Sequence, residues 1–482
     1  MRKDYTKSGF LSFAITIWAL VCAVFVGFFP DFSWLMLVAI LIPIVASFLF
    51  NNYYNKSGLA LCRVLVGALF VFSSFTKGVD PLGTKYKMLD YFIAYNIEWL
   101  NGLALALAVL LIMAEFVVGI CLMLNLLPRL ATLGASLLMI FFPTTTFFDA
   151  IYNLVPDCGC FGTAIKMSNW QTFFKNLIIL AVLIPLIFNN KSLLNKRVTI
   201  FGQSLFTFIF IALFVGFEIY NIRHLPVIDF MEWKVGRDMK PAEEAEPAEI
   251  YLTFKNIETG ETEEYLSPNY PWNDSIWMSQ WEFVSQRQEG GTQSFGFSIL
   301  NEDGDDYTDV LLYTEKLFVF VAPYLNEVSQ EELAECQRIY ELANEYGYNY
   351  LWITSVNPEC VYELQNDYDM FDEVYYGDEL ELKSMVRSNP GLMLLKRGVV
   401  LNKWADGDIP DEYQLTSTLE QLPLAQGHVQ GKGLKVATCI LWFVIPLMLI
   451  SLLDRLYFFH KRKQLGQLIK TEDEDNINPL IK

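Results

Sequence analysis

Two cysteines one residue apart, in Asp157-Cys158-Gly159-Cys160-Phe161-Gly162, are the clearest candidates for chemistry in this chain of 482 residues. Thiols at this spacing act as a redox pair, or they serve as inert packing or a structural bridge. A disulfide needs its two Cα atoms within about 4.4–6.8 Å. Cys-Gly-Cys meets that condition only if the backbone bends, which Gly159 permits. The small ring that results is strained, and a strained disulfide is easily reduced, hence a good oxidant. The thiolate is the reactive form and nearby positive charge favours it. Lys77 is the candidate activator, with Lys166 the second. Two sulfurs without a nearby histidine fall short of a four-ligand metal site. The three histidines, His224, His428 and His460, lie outside every apolar stretch, which excludes a bis-histidine haem inside the bundle. No Gly-rich phosphate loop follows a strand, so no nucleotide site is expected.

Charged groups inside apolar stretches form the second set of candidates, because ionised side chains in a bilayer are costly and are usually functional or paired. Arg63 lies roughly 7 Å into its stretch from the cytoplasmic start, and Glu115 roughly 15 Å from the cytoplasmic exit of its own. Arginine is long enough to close much of that difference, which predicts a Glu115–Arg63 pair serving either as a structural clamp or in function. Pro143, followed by Thr144, Thr145 and Thr146, predicts either a kink or re-entrant turn, or an ordinary proline-bent helix end.

The elements that must hold these residues are membrane helices. Hydrophobic residues are 53% and charged ones 18%, and eight stretches approach the roughly 20 apolar residues that span a bilayer: 10–29, 33–50, 58–77, 102–124, 130–148, 170–188, 199–220 and 434–453. The chain is acidic overall, with net charge −19. Residues 224–433 carry 40 acidic and 13 basic side chains, so an acidic soluble unit is joined to a slightly basic membrane unit. That balance argues against nucleic acid and anionic lipid headgroups as ligands of the soluble unit. Positive residues flank the spans on one side when there are eight of them, which predicts cytoplasmic N- and C-termini. The cysteine loop and the segment 224–433 then face the periplasm from a bacterial inner membrane.

Arg63, Lys77-Gly78-Val79-Asp80-Pro81, Ala114-Glu115 with Gly119, Arg129, and Cys158-Gly159-Cys160-Phe161-Gly162 followed by Trp170 and Asn176 together resemble the DoxX/MauE-type four-helix membrane family, over about residues 58–188. The resemblance implies quinone-linked oxidation and disulfide formation in exported proteins, with quinone as the cofactor and an exported or periplasmic protein as the partner. No metal, haem or nucleotide is expected.

Beyond a Pro/Glu-rich linker at 224–249, the soluble unit alternates strands and helices, the pattern of a mixed sheet. A hairpin is expected over 250–266, strands over 295–300, 316–322 and 350–354, helices over 330–346 and 358–368, and a closing hairpin over 391–404. From residue 295 to 422 this order resembles a thioredoxin-like domain of the exported thiol-reductase kind. Asn389-Pro390-Gly391 matches that family's proline loop, which makes Pro390 a candidate cis-proline. Where the family carries Cys-x-x-Cys, this chain reads Ala322-Pro323-Tyr324-Leu325-Asn326, so a docking module is expected in place of a catalytic one. Cys336 and Cys360 would either bridge or remain thiols.

The expected organisation is two N-terminal spans (1–57), a DoxX/MauE-like domain (58–190), a seventh span (191–223), the linker (224–249), the thioredoxin-like domain (250–430), a last span (431–455) and a cytoplasmic tail (456–482). The expected function is a membrane thiol/disulfide redox protein passing electrons through the Cys-Gly-Cys loop towards quinone. The alternative is a non-enzymatic assembly subunit of an envelope complex.

Overall fold

The structure is a computed structural model that describes residues 14–19, 21, 34–50, 54–152, 154–155, 159–165, 167–189, 199–240, 249–256, 262–266, 277, 280–289, 297–368 and 374–410, with isolated positions between 437 and 448. It divides into two compact units, one of Met1–Ile222, Pro226–Phe230 and Val429–Lys482, the other of Arg223–Leu225 and Met231–His428.

The first unit is helical: α1 (Trp34–Leu49), α2 (Lys56–Val79), α3 (Pro81–Ala94), α4 (Ala104–Leu124, preceded by a 3-10 turn from Glu98), α5 (Pro128–Tyr152), α6 (Asn169–Phe188) and α7 (Ile200–Arg223). Their ends follow local chemistry. The Asn55 side chain accepts a hydrogen bond from the Gly58 N–H at 2.7 Å and starts α2. Asn125 closes α4 in the left-handed conformation. Ser168 and Gln171 start α6 with a reciprocal capping box.

Five of the expected spans appear as helices long and apolar enough to cross a membrane: Lys56–Val79, Glu98–Leu124, Pro128–Tyr152, Asn169–Phe188 and Ile200–Arg223. The stretch expected at 33–50 is α1, of 16 residues. Most of 10–29 and 434–453 lies outside the described residues. Leu130, Leu133, Leu137, Ile140 and Phe141 on α5 are more than half exposed and share one face at helical spacing. Its opposite face, with Ala131, Ala135 and Met139, is buried. An apolar face open to the surroundings, opposite a face packed in the bundle, is the pattern of a helix against lipid.

α5 runs unbroken through Pro143 to Tyr152, so the chain makes no re-entrant turn there and the helix does not end at the proline. The ring removes one N–H, and threonine hydroxyls occupy the neighbouring carbonyls: Thr144 donates to Ile140 O at 2.7 Å and Thr146 to Phe142 O at 2.7 Å. α3 was not expected. It starts at Asp80, whose carboxylate accepts from the Gly83 N–H at 2.9 Å with Pro81 in the first turn.

In the second unit a six-stranded sheet takes the order β10-β9-β6-β7-β8-β5. In chain order its elements are β5 (Ile299–Leu300), α8 (Thr308–Tyr313), β6 (Leu317–Ala322), α9 (Gln330–Glu345), β7 (Asn349–Thr354), α10 (Pro358–Tyr368), β8 (Val374–Gly377), α11 (Glu379–Met385), β9 (Gly391–Lys396) and β10 (Val399–Ala405). β6, β7 and β8 are parallel, and β9 runs antiparallel to β6. Every residue of β6 is buried. Alternation sends Leu317, Val319 and Val321 into one core with Leu311, Leu382 and Met385, and Phe318 and Phe320 to the other face, towards Ile339 and Cys336 of α9. A separate three-stranded sheet, β3-β2-β4, comprises β2 (Glu249–Asn256), β3 (Thr262–Leu266) and β4 (Trp281–Glu289). β2 and β3 form the expected hairpin, whose turn lies outside the described residues.

The linker boundary expected at 224–249 needs correction. Trp233 is 1% exposed and Met239 2%, both inside the main core of the α/β unit. Asp238 bridges Val399, and the Gly236 N–H donates to Val400 O at 2.8 Å. Residues 231–240 are therefore part of that unit. The Pro/Glu run at 241–248, which dominated the composition, is outside the described residues.

Candidate functional site: a polar cavity beside Cys160

The site begins with two glycines. A Cβ on Gly67 of α2 would lie 2.7 Å from the Gly119 carbonyl oxygen of α4, closer than side chains tolerate, so glycine permits this approach of the two helices. The contact also sets their register. One turn beyond Gly119, Glu115 comes level with Ser73, two turns beyond Gly67 on the antiparallel neighbour. Lys77, a further turn along, reaches back to it, as side chains directed towards a helix N-terminus do.

The result is a buried ion pair. Lys77 Nζ lies 2.6 Å from Glu115 Oε1, with side-chain exposures of 7% and 1%. The Ser73 hydroxyl sits 2.9 Å from Glu115 Oε2 and 2.8 Å from the Cys160 carbonyl oxygen, so its proton ties the carboxylate to the cysteine segment. The Lys77 ammonium also lies over the Phe142 ring, 5.4 Å from its centroid.

The expected Glu115–Arg63 pair is not formed. Glu115 is level with Ser73, and Arg63 lies ten residues before Ser73 on α2, which separates the two by about 15 Å along the bundle. The depth argument lacked this register. Arg63 Nε is buried and has no hydrogen-bond partner.

Residues 159–165 form a tight turn packed on α2. Gly159 and Gly162 adopt φ of 60° and 57°, and the Gly162 N–H donates to Gly159 O at 2.8 Å. At Gly162 the positive φ combines with close packing, since a Cβ would lie 3.3 Å from the Thr76 carbonyl oxygen. The short strand β1 (Cys160–Thr163) follows, with Phe161 bridging Ile165. Phe161 packs on Phe72, ring centroids 5.5 Å apart, and the Lys175 ammonium of α6 lies 4.5 Å from the Phe161 ring centroid.

Ser73, Lys77, Glu115, Cys160, Lys175 and Asn176 line one small cavity, closed by apolar side chains that include Met139 and Phe142. It offers about 20 Å³ to the centre of a water-sized molecule, enough for roughly one such molecule. Cys160 is half-buried. Cys158 and Lys166 lie outside the described residues. Lys77, named as activator, is at the cavity, but its charge is already met by Glu115.

Ser73 and Lys175 were not singled out from the sequence. For Lys175 a signal was present: it is an ionisable residue inside the stretch 170–188, and the rule that selected Glu115 selects it too. Ser73 has no comparable signature, because serine in an apolar helix is ordinary. Besides Asp80 at the start of α3, the buried acids Asp149 and Glu218 lie among the described residues of the bundle. Asp149 accepts from the Tyr91 hydroxyl at 2.6 Å. Glu218 is fully buried on α7, and neither carboxylate oxygen has a hydrogen-bond partner.

In the α/β unit the Asn389–Pro390 bond is cis. The loop after β6 carries Tyr324, whose backbone N–H and carbonyl both pair with the Asn389 side chain, at 2.9 and 3.0 Å. Cys336 and Cys360 are both thiols. Burial, followed by the nearby Asp406 and Glu335 carboxylates, pushes the Cys336 thiol well above its ordinary value. It is a packed, unreactive thiol.

Residues 55–189 match the family described as Methylamine utilisation protein MauE. The matched segment spans α2 to α6 and so contains every residue lining the cavity. No curated protein and no solved structure matches the chain. The chain is a multi-pass membrane protein carrying a MauE-family domain and a mixed α/β unit.

Proposed function

We propose that the MauE-family domain performs thiol–disulfide exchange on exported proteins at the Cys158–Cys160 loop and passes the electrons to quinone. The observation that carries this reading is Cys160 at the wall of a polar cavity, inside an otherwise apolar bundle, its carbonyl oxygen against a buried Lys77–Glu115–Ser73 network. A substrate thiolate attacks the Cys158–Cys160 disulfide and forms a mixed disulfide, displacing the other cysteine as thiolate. A second substrate thiol resolves the mixed disulfide. The substrate leaves oxidised and the pair reduced by two electrons. A quinone would supply the two-electron acceptor that restores the disulfide. An aromatic ring does not fit in about 20 Å³, so quinone would meet the pair from the bilayer, outside this cavity.

The orientation that serves this reaction puts the loop and the α/β unit on the periplasmic side, as the flanking positive charges support. The α/β unit would be a thioredoxin-like docking module. Parallel β6 and β7, antiparallel β9 and β10, and the cis-proline before β9 support that relationship. The absence of cysteine at Ala322-Pro323-Tyr324-Leu325 speaks against its own redox activity.

The second reading, a non-enzymatic assembly subunit, draws on the same ion pair. Lys77 is already neutralised by Glu115 and suits a structural clamp. Thiol trapping in cells expressing Cys160→Ser separates the two. The exchange reading expects exported proteins to accumulate reduced thiols. Unchanged redox states of all envelope proteins, with stable co-purifying partners indifferent to both cysteines, would favour assembly.

A further inference from the structure

Glu218 is fully buried on α7 with both carboxylate oxygens unpartnered, and no step described above uses it. α7 lies beyond the matched segment 55–189 and is tied to it at both ends. The Leu127 N–H donates to Gln203 Oε1 at 2.8 Å near the start of the helix, and the Asn221 side chain donates to Gly78 O at 3.2 Å near its end. Between these ties Phe214 stacks on Phe116 of α4 and Phe217 on Phe75 of α2, with ring centroids 3.9 and 5.6 Å apart. Glu218 precedes Asn221 by three residues, roughly 4.5 Å along the helix, which puts it level with about Phe75 and Thr76 of α2.

An ionised carboxylate at that place would have neither water nor a counter-charge. On the helices seen to touch α7, Lys77 of α2 and Glu115 of α4 are bonded to each other at 2.6 Å, Asp80 of α2 accepts from the Gly83 N–H, and Cys121 of α4 meets Thr207 at 3.5 Å. Arg63, Cys62 and Lys56 lie roughly 18 Å or more down α2 from that level. On α7 itself Tyr220 and Arg223 are exposed, and Asp229, on the segment that the Val227 N–H ties to Asn221, is half-buried. None of these groups hydrogen-bonds to Glu218. Among the described residues no group of three or more metal-ligating side chains occurs, which leaves a proton as the cation this carboxylate takes.

We propose that Glu218 is a proton-binding site of the membrane unit, and that α7 seats on α2 and α4 only with that proton in place. As α7 closes, the Glu218 carboxylate takes one proton from water and forms one O–H bond; as α7 opens, the proton returns to water. No electron moves. The nearer end of α7 is Arg223, five residues or roughly 7 Å away, so the route to water is short. An ionisable group placed inside a bundle in this way is costly unless it serves a function. The proposal rests on no step of thiol exchange.

The test compares the wild type with Glu218→Gln, both as full-length protein in mixed micelles. Glutamine has the shape of the neutral acid and has no proton to lose. The unfolding equilibrium constant of the wild type, divided by that of Glu218→Gln, is expected to rise about tenfold per pH unit between about pH 5 and 7, which is the signature of one proton bound on folding. A ratio that stays constant with pH overturns the proposal. If Glu218→Gln fails to fold, infrared spectroscopy of the wild type decides. With carbon-13 at the glutamate side-chain carboxyls, the folded protein at about pH 7 should show the C=O stretch of a neutral carboxylic acid displaced by the label, and should lose it on denaturation at the same pH. A folded spectrum in which every glutamate is ionised overturns the proposal.

Discussion

Neutralising one member of the Lys77–Glu115 pair should cost far more than neutralising both. Both groups are almost fully enclosed, at 7% and 1% exposure, so neither recovers water when its partner is lost. In Lys77→Met the Glu115 carboxylate keeps only the Ser73 hydroxyl at 2.9 Å. Stranding a buried charge in this way costs about 3–5 kcal/mol. In Glu115→Gln the amide can still accept from Ser73, and Lys77 keeps the Phe142 face. That variant is expected to lose less, about 2–3 kcal/mol. The double variant Lys77→Met/Glu115→Gln removes both charges and puts apolar surface where the ammonium was. It is expected within about 1–2 kcal/mol of wild type, since replacing a buried pair by neutral groups is often near neutral. The coupling energy in a double-mutant cycle should therefore reach about 3 kcal/mol or more. The assay is reversible unfolding of the purified full-length protein in mixed micelles, read by circular dichroism, with all four forms measured together. Single variants that lose under about 0.5 kcal/mol, or losses that simply add in the double variant, would refute the claim that this pair is desolvated and mutually dependent.

Three further outcomes follow from other parts of the molecule. Gly67→Leu should separate α2 from α4, because even its Cβ would lie 2.7 Å from a backbone oxygen; loss of folded yield, or a melting temperature lower by several degrees, is expected, and an unchanged melt would show that the helices do not meet there. Burial, with Glu332 and Glu335 nearby, raises the Asp406 carboxyl from 3.8 to about 6. A raised pKa means that the folded form binds the proton more tightly, so stability is greatest below about pH 4 and declines as pH rises through about 6; hydrogen exchange of β6 and β7 in the full-length protein should quicken over that interval, and Asp406→Asn should flatten the dependence. Cys336, 1% exposed, should react with maleimide only when the α/β unit opens, at least about a hundredfold more slowly than Cys360, and comparable rates would mean its helix is not packed on the sheet.

The membrane helices were legible because long apolar runs have few alternatives. α3 escaped because its 14 residues include Lys85, Lys87 and Asp90 and give neither an apolar span nor a strong amphipathic stripe. Strands β6 and β7 were readable from β-branched and aromatic runs, and the closing hairpin from its turn. The two-residue β5 and the short α8 depend on partners distant in sequence. Thr308 exemplifies this: its hydroxyl donates locally to Asp306, yet it also accepts from the Ile299 N–H at 3.0 Å, nine residues back. The cysteine loop was found from its spacing. The partner of Glu115 was misassigned because axial depth was taken from span ends, whereas the Gly67–Gly119 contact decides which residues face each other. The boundary of the α/β unit was misplaced because composition is blind to a single buried tryptophan such as Trp233.

The helix that shields the cavity is one layer thick. Met139 and Phe142 line the pocket, while Ile140 and Phe141, from the same turn, are 65% and 54% exposed on the outer face. An oil-soluble reagent dissolved among the acyl chains is thus about one helix diameter, roughly 10 Å, from the cavity. The cavity consequently lies within reach of reagents carried by the bilayer itself, with a single layer of side chains in between.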